Sequence, residues 1–243
     1  MSDTAVNEQN QEREATYSAT LASFVEGLRY EDIPKDIRER AKFLILDAVG
    51  IAIASTHYDF ADRILAGISA MSDGGDAVVI GKSERLPVRD AILMNGALVH
   101  GLDFDDTHMK SVVHATSISF PSALNIAENL KVSGADLLTA YIAGMEVSIR
   151  VGEAANFGFH HNGYHATGVV GHFSTALLAG KLLGLNTAQL TAAQGMAGST
   201  AMASQEFVED GAWNKRLHPG WAGVAGYTAA SLAKAGFVAP RKP

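Results

Sequence analysis

The chain of 243 residues contains no cysteine and only six prolines, and aromatic side chains make up 7 % of it. The lack of cysteine excludes disulfides, thiolate nucleophiles and cysteine-ligated zinc or iron–sulfur centres, and it fits a reducing compartment. Charged residues account for 19 %, and the formal net charge is −7 without any basic cluster. Nucleic-acid binding is therefore not expected.

Long hydrophobic runs and targeting signals are missing as well. The most apolar stretch, 43–54, contains Asp47 and falls short of the ~20 apolar residues that span a bilayer. The N-terminal segment MSDTAVNEQNQEREATYS is polar and acidic, unlike a secretory signal. These features predict a soluble, cytoplasmic protein that does not contact a membrane.

Alanine and glycine supply more than a quarter of the chain, a composition that suits closely packed helices better than a β-sandwich. We therefore predict an all-α, mainly helical domain over 16–243, preceded by a flexible arm at 1–15, with at most a small β-hairpin near 77–87. The second half of the helix at 34–55 is apolar nearly all round, which predicts burial on every side. Helical periodicity predicts helices from about Thr16 and at about 34–55, 60–71, 88–101, 120–131, 134–155, 167–184, 187–203 and 219–236.

Eight of the nine histidines fall between positions 100 and 218, mostly in irregular segments between predicted helices. Loops held by a rigid scaffold commonly carry function. In the first such segment, HGLDFDDTHMKSVVH, acidic residues lie beside His108, and a carboxylate can fix an imidazole tautomer and raise its basicity. A solvated acidic loop that caps helices is the alternative, and the spacing of an EF-hand calcium loop is absent.

The second segment places His165 directly before a predicted helix, where an anionic ligand is favoured. His161 lies four residues earlier, so a metal pair is an alternative, although Gly163 interrupts a continuous helix. In the third segment, Lys215 and Arg216 are either surface charges or an anchor for a substrate carboxylate.

These residues favour proton transfer next to a carboxylate by general acid–base groups, without a redox cofactor. The sequence has no G-x-G-x-x-G, Walker or G-x-S-x-G motif, which disfavours nucleotide binding and serine hydrolysis.

Four segments, taken together and in this order, resemble the MmgE/PrpD family, which includes 2-methylcitrate dehydratase, cis-aconitate decarboxylase and iminodisuccinate epimerase. The segments are LDAVGIAIAS, NGALVHGLDFDDTH, GYHATGVVGHFSTALLAGKLLGL and FVEDGAWNKRLHPGWA, and the resemblance covers about 35–240. It implies the helical domain of that family, without the α+β lid domain that supplies further catalytic residues.

The resemblance implies a lyase or isomerase (dehydratase, decarboxylase or epimerase) that acts on di- or tricarboxylates without a metal or organic cofactor. His165, His114, Asp103 and Lys215 would be catalytic, and Thr107, Lys215 and His108 would bind substrate. Because the lid is missing, we expect a homodimer or a complex with a separate lid-domain subunit.

Two further readings stay open. The chain could be a non-catalytic binding or scaffold subunit that retains the family fold. It could also be a metal-dependent enzyme that uses His161, His165 and the aspartate loop.

Overall fold

Residues 16–242 are described by the computed structural model, and the predicted arm at 1–15 lies outside them. Within that range, helices are joined by loops and one small hairpin, as the sequence predicted. The α-helices are α1 Tyr17–Gly27, α2 Lys35–Ser55, α3 Asp59–Ser69, α4 Val88–Val99, α5 Ala115–Leu130, α6 Gly134–Ala155, α7 Gly158–His161, α8 Ala166–Leu182, α9 Thr187–Thr200, α10 Phe207–Asp210 and α11 Asn214–Lys234. A 3-10 turn spans Tyr30–Asp32, and the strands are β1 Ala77–Val78 and β2 Arg85–Leu86.

Side-chain caps fix where several helices begin. Ser133 and Asn186 are N-caps, and the side chain of each accepts a hydrogen bond from the backbone N–H three residues later. Thr16 caps α1 in the same way through the N–H of Ala19. These oxygens satisfy amide groups that a helix start otherwise leaves unpaired.

The centre of the domain is formed by α4 and α8, which are buried along most of their length. α8 packs against α5, α6, α9 and α11, and α11 also lies along α4. Small residues on these helices allow the close approach, and the buried aliphatic side chains form one large core cluster. This packing brings several helix ends to the same side of the domain.

The hairpin forms near its predicted position. β1 and β2 are antiparallel, with Ala77 opposite Leu86. Its backbone is fastened to the core by buried Asn95, whose side chain accepts from the N–H of Ile80 and donates to the carbonyl of Val78.

The predicted burial of the second half of α2 on every side is wrong. Leu46 and Ile53 are exposed, and this half buries a narrow face that includes Ala48 and Ile51. The apolar run signals burial only where neighbouring helices cover it, and the outer face of α2 has no such neighbour among residues 16–242.

Two predicted helix starts are also wrong, and both lie beside a proline. α5 begins at Ala115 instead of near 120 and continues through Pro121. α11 begins at Asn214 instead of near 219 and continues through Pro219. A proline inside a helix costs one hydrogen bond and clashes with a carbonyl. In α5 the turn before Pro121 is fully buried, and its packing outweighs that cost.

No single helix in the described part of the chain has both the length and the apolar composition to cross a membrane. Only α2 and α3 together meet both criteria, and they are bent by 89° relative to each other.

Candidate active site

The ends of four central helices meet on one side of the domain and carry the candidate site. His100 follows α4, His114 precedes α5 and His165 precedes α8. Lys215 and His218 lie in the first two turns of α11. Residues that are far apart in sequence therefore converge because the buried helices fix where each chain segment enters and leaves the core.

Glycines allow α11 to lie close enough to its neighbours for this arrangement. A Cβ on Gly96 of α4 would collide with the backbone of Gly220 in α11. A Cβ on Gly168 in α8 would meet the Cβ atoms of Ala203 and, at 3.1 Å, His218. Glycine at these positions thus sets the distance at which the histidines of α8 and α11 face each other.

The outer part of the site contains an ion pair next to an imidazole. Nζ of Lys215 lies 2.5 Å from Oδ1 of Asp103, and the same oxygen lies 3.5 Å from Nε2 of His114. Nδ1 of His114 lies 3.2 Å from the hydroxyl of Thr107. Asp103 has a φ of 59°, a left-handed conformation that aspartate tolerates better than most residues. This turn aims the carboxylate at both Lys215 and His114.

The inner part of the site is a buried group of imidazoles. Nδ1 of His165 lies 3.1 Å from Nδ1 of His218, so the N–H of one ring donates a hydrogen bond to the bare nitrogen of the other. The ring of His165 stacks on that of His100 at 5.6 Å, and Nδ1 of His100 lies 3.0 Å from each carboxylate oxygen of Asp105. Phe207 covers His165 and His218 edge-on. Polar, titratable groups are therefore enclosed below the exposed ion pair.

Backbone hydrogen bonds fasten the loop between α4 and α5. The N–H of His114 donates to the hydroxyl of Thr167 on α8 at 3.1 Å. The N–H of Thr116 donates to Oδ1 of Asp106 at 3.2 Å, and burial raises the pKa of that carboxyl. The position of His114 is thus set from both α5 and α8.

Burial and neighbouring positive charge keep His114, His165 and His218 neutral. Burial lowers the pKa of His165 strongly, and the charges of His100, His218 and Lys215 lower it further. Burial, with His100 and Lys215, lowers the pKa of His218 to about 4. The pKa of His114 is lowered mainly by burial. At neutral pH these rings are therefore in the neutral form, which can accept a proton.

The carboxylate of Asp103 is held in its charged form. Partial burial raises its pKa, but the hydrogen bond and charge of Lys215 outweigh burial, and the net pKa is below its usual value. The outer part of the site therefore offers a fixed negative charge and a fixed positive charge next to neutral His114.

Comparison with known families identifies the family of this chain. Residues 19–243 match the model of the MmgE/PrpD N-terminal domain. The chain belongs to the MmgE/PrpD family.

Relatives of known activity lie in the same family. The chain is 30 % identical over 228 residues to a cis-aconitate decarboxylase of Aspergillus terreus, covering 91 % of this chain and 46 % of that protein. It is 30 % identical over 237 residues to a cis-aconitate decarboxylase-like protein of Aspergillus oryzae, covering 94 % and 49 %. The human cis-aconitate decarboxylase is 30 % identical over 227 residues, covering 90 % and 46 %. The family thus includes lyases, and the chain spans about half the length of the curated relatives it matches.

The structure brings five of the six residues inferred from the MmgE/PrpD resemblance into one place. Asp103, Thr107, His114 and Lys215 form the outer part of the site, and His165 lies in its buried part. The sixth, His108, makes its hydrogen bonds within its own loop. Its Nδ1 lies 2.9 Å from the hydroxyl of Ser111, and its N–H donates to Val113, both within its own turn.

Three residues of this MmgE/PrpD site were missed as site residues: His100, Asp105 and His218. His100 follows an apolar stretch of sequence, which is typical of a core residue, and the structure shows that it is fully buried. The acidic loop was recognised as a whole, but nothing local distinguishes buried Asp105 from exposed Asp103. His218 lies directly before Pro219, where the sequence predicts the start of a helix, so the sequence pattern is that of a loop residue.

Histidine and carboxylate groups of this kind can also hold a cation. One ring nitrogen from each of His100, His114 and His165 lies within 4.8 Å of the others. His161, which the metal-dependent reading paired with His165, is exposed on α7 and belongs to no such group within residues 16–242. If a metal bound this MmgE/PrpD domain, His100 and His114 would be the partners of His165.

Proposed function

We propose that this chain carries much of the active site of a cofactor-independent lyase or isomerase. It would move a proton next to a carboxylate of a di- or tricarboxylate. The observation that carries the proposal is the convergence of neutral His114 and buried His165 beside the Asp103–Lys215 pair. Because the relatives are named cis-aconitate decarboxylases, decarboxylation of cis-aconitate is the first reaction to test, ahead of dehydration and epimerisation.

All three reaction types require the protein to transfer a proton to or from a carbon atom of the substrate. In a decarboxylation, the bond to the leaving carboxylate breaks, its electron pair enters the carbon skeleton, and an acid delivers a proton to carbon. In dehydration and epimerisation, a base first removes a proton from carbon. A histidine can serve either step, as the acid when its ring is protonated and as the base when its ring is neutral. His165 and His114 are the proposed proton carriers.

The remaining residues would hold the substrate. The ammonium group of Lys215 and the hydroxyl of Thr107 can bind a substrate carboxylate. Asp103 lies 2.5 Å from Lys215 and 3.5 Å from His114, so it would orient both groups. This chemistry uses side-chain acids and bases alone, and we therefore propose that it needs no metal or organic cofactor.

We further propose that a second polypeptide region completes the site. The ion pair at its mouth is exposed, with 55 % of the Asp103 side chain accessible, although such chemistry profits from exclusion of water. Apolar side chains also lie exposed on the site loops, among them Phe104, Met109 and Trp213. A separate lid-domain subunit or a second copy of this chain would cover both features.

Activity of the chain, assayed alone and with a lid-domain chain from the same source, tests the proposal. Carbon dioxide release from cis-aconitate would be measured. His165→Ala should lower activity by about 100-fold or more, since a positioned acid or base typically contributes that much. His161→Ala is the matched control, because His161 is an exposed histidine four residues away, and it should leave activity unchanged.

The same experiment separates the other readings. A scaffold subunit would leave the activity of the assembled complex unchanged in His165→Ala. A metal-dependent enzyme would lose activity in EDTA and regain it with one divalent cation, whereas the proposed enzyme should be insensitive to the chelator.

A further inference from the structure

Three histidine rings lie around one point in the candidate site. One ring nitrogen from each of His100, His114 and His165 lies within 4.8 Å of the other two. The ring centroids are 4.7, 5.6 and 6.3 Å apart, so the rings form a triangle. Imidazole nitrogens are common metal ligands, and three histidines with one open position are a ligand set that zinc adopts in proteins.

Two rings of this histidine triangle have a nitrogen without a partner. Nε2 of His100 and Nε2 of His165 are buried and make no hydrogen bond within residues 16–242. The two residues are only 1 % and 3 % exposed. A buried polar atom without a partner costs free energy and calls for an explanation. A metal ion at the centre of the triangle would bind both nitrogens.

The other nitrogen of each ring is already engaged. The partner of Nδ1 is Asp105 at 3.0 Å for His100, the hydroxyl of Thr107 at 3.2 Å for His114, and His218 at 3.1 Å for His165. A metal-binding histidine typically binds the ion through one nitrogen and a carboxylate or another polar group through the other, which fixes the orientation of the ring. The pair of His100 and Asp105 has this form.

A metal ion would fit between the three rings without a larger cavity. Zinc binds imidazole nitrogen at about 2.0–2.1 Å, so two nitrogens on one ion lie no more than about 4.2 Å apart. The nitrogens of the histidine triangle lie within 4.8 Å of one another. Small rotations of the side chains would therefore bring them to bonding distance.

The mouth of the site gives a cation access to the triangle. His114 is the least buried of the three rings, with 12 % of its side chain exposed, and its Nε2 lies 3.5 Å from Oδ1 of Asp103. Asp103 and Asp105 supply two carboxylates, and Lys215 is the one lysine or arginine that pairs with either of them in residues 16–242. The carboxylate in excess would stabilise a bound cation.

We propose that His100, His114 and His165 form a binding site for a divalent transition-metal ion, with zinc as the ion that fits this ligand set. Asp105 would orient His100, and Asp103 would lie at the open fourth position. Bound zinc would occupy the histidines to which proton transfer is assigned, so it should inhibit the enzyme. Binding of the ion stands by itself, whereas the inhibition rests on the proposed function.

Zinc alone is the probe for the site. The full chain, without a histidine tag and freed of metal with a chelator, would be titrated with Zn²⁺ in a calorimeter and should bind one ion per chain. His165→Ala removes a ligand and should weaken binding by about 100-fold or more. Asp105→Asn keeps all three ligands and should weaken it by roughly 10- to 100-fold, the range for a group that orients a metal ligand.

A matched control and a second ligand variant complete the titration. His172→Asn should bind zinc as the wild type does, because His172 is an equally buried histidine whose Nδ1 lies 2.8 Å from the carbonyl of Gly168 and which is not part of the triangle. His114→Ala, at the least buried ring, should also lose about 100-fold in affinity, so the result does not depend on the folding of His165→Ala. Thermal midpoints would show which variants fold.

The effect on activity is measured separately. Zinc at concentrations that fill the site should stop carbon dioxide release from cis-aconitate, and EDTA should restore it. Equal zinc affinity of the wild type, His165→Ala and His114→Ala would overturn the metal site and leave the proposed function intact. Zinc binding that depends on these histidines, in a protein that zinc activates, would keep the site and overturn both the inhibition and the cofactor-independent reaction.

Discussion

Lys215 and Asp103 are 112 positions apart in the sequence, yet Nζ of the lysine lies 2.5 Å from Oδ1 of the aspartate. The pair joins the start of α11 to the loop that follows α4, and it forms the mouth of the candidate site. Arg216, the next residue, donates to the carbonyl of Gly101 at 2.8 Å and lies over the ring of Phe60. These two adjacent cations therefore have different roles. Arg216 binds the loop that follows α4, and Lys215 lies at the candidate site.

Replacing Lys215 should impair activity far more than stability. Lys215→Met keeps most of the apolar stem and removes the charge, so we expect activity to fall by about 100-fold or more. Because both partners are partly exposed, the loss in unfolding free energy should stay below about 1 kcal/mol. Steady-state kinetics and urea denaturation measure the two effects. Lys42→Met is the control, since Lys42 forms a surface pair with Glu39 at 2.7 Å, and it should change neither quantity appreciably.

Asp103→Asn tests the other half of the same pair. Asparagine tolerates the left-handed backbone of this position and removes only the negative charge. If Asp103 orients Lys215 and His114, kcat should fall while the thermal midpoint stays nearly constant. Unchanged kcat would limit the role of Asp103 to a surface contact.

Buried neutral histidines should make the domain sensitive to acid. The pKa values of His165 and His218 are lowered by burial and by the charges of His100 and Lys215, that of His218 to about 4. The pKa of His172 is lowered by burial, which outweighs the opposite effect of its hydrogen bond to Gly168. In the unfolded chain these rings would titrate near pH 6.5, so below that pH the unfolded state binds more protons than the native state. Stability should be constant above about pH 7 and should decrease as the pH falls from about 6.5 towards 4.

The expected slope is about 1.4 kcal/mol per pH unit for each such histidine, measured by urea denaturation at several pH values. His172→Asn removes one of these groups and retains a donor for the carbonyl of Gly168, so its slope should be smaller by about one histidine. A denaturation midpoint that does not change between pH 7 and pH 5 would contradict the neutral state of these rings.

The sequence was sufficient for the features that depend on local pattern. Most of the helices and the hairpin ending before Pro87 follow from residues close together in the chain. It was insufficient where tertiary packing decides. The helix starts beside Pro121 and Pro219 depend on buried neighbours and on contacts across the site.

The candidate site shows the same division. The motif resemblance identified Asp103, Thr107, His114, His165 and Lys215, because each stands in a recognisable segment. It did not distinguish His108, which bonds within its own turn, from the residues that converge. The pairing of His100 with Asp105 was also not predicted, since it depends on the angle at which the chain leaves α4, and composition and spacing do not encode that angle.

The contact between α4 and α11 gives a test of the packing that places Lys215. Gly96→Ala would put a methyl group against the backbone of Gly220, and neither helix can yield without displacing its neighbours. We expect the unfolding free energy to fall by about 2 kcal/mol or more, within the range of overpacked cores. Activity should fall as well, because α11 would move away from α4.

Gly67→Ala is the matched control, since Gly67 lies within α3 and nothing would lie within 4 Å of its added Cβ. That substitution should stabilise the domain by up to about 1 kcal/mol, because alanine favours a helix over glycine. Equal stability of the two variants in urea denaturation would contradict the close packing of Gly96 on Gly220. A destabilised Gly96→Ala variant that kept full activity would show instead that the position of Lys215 does not depend on this contact.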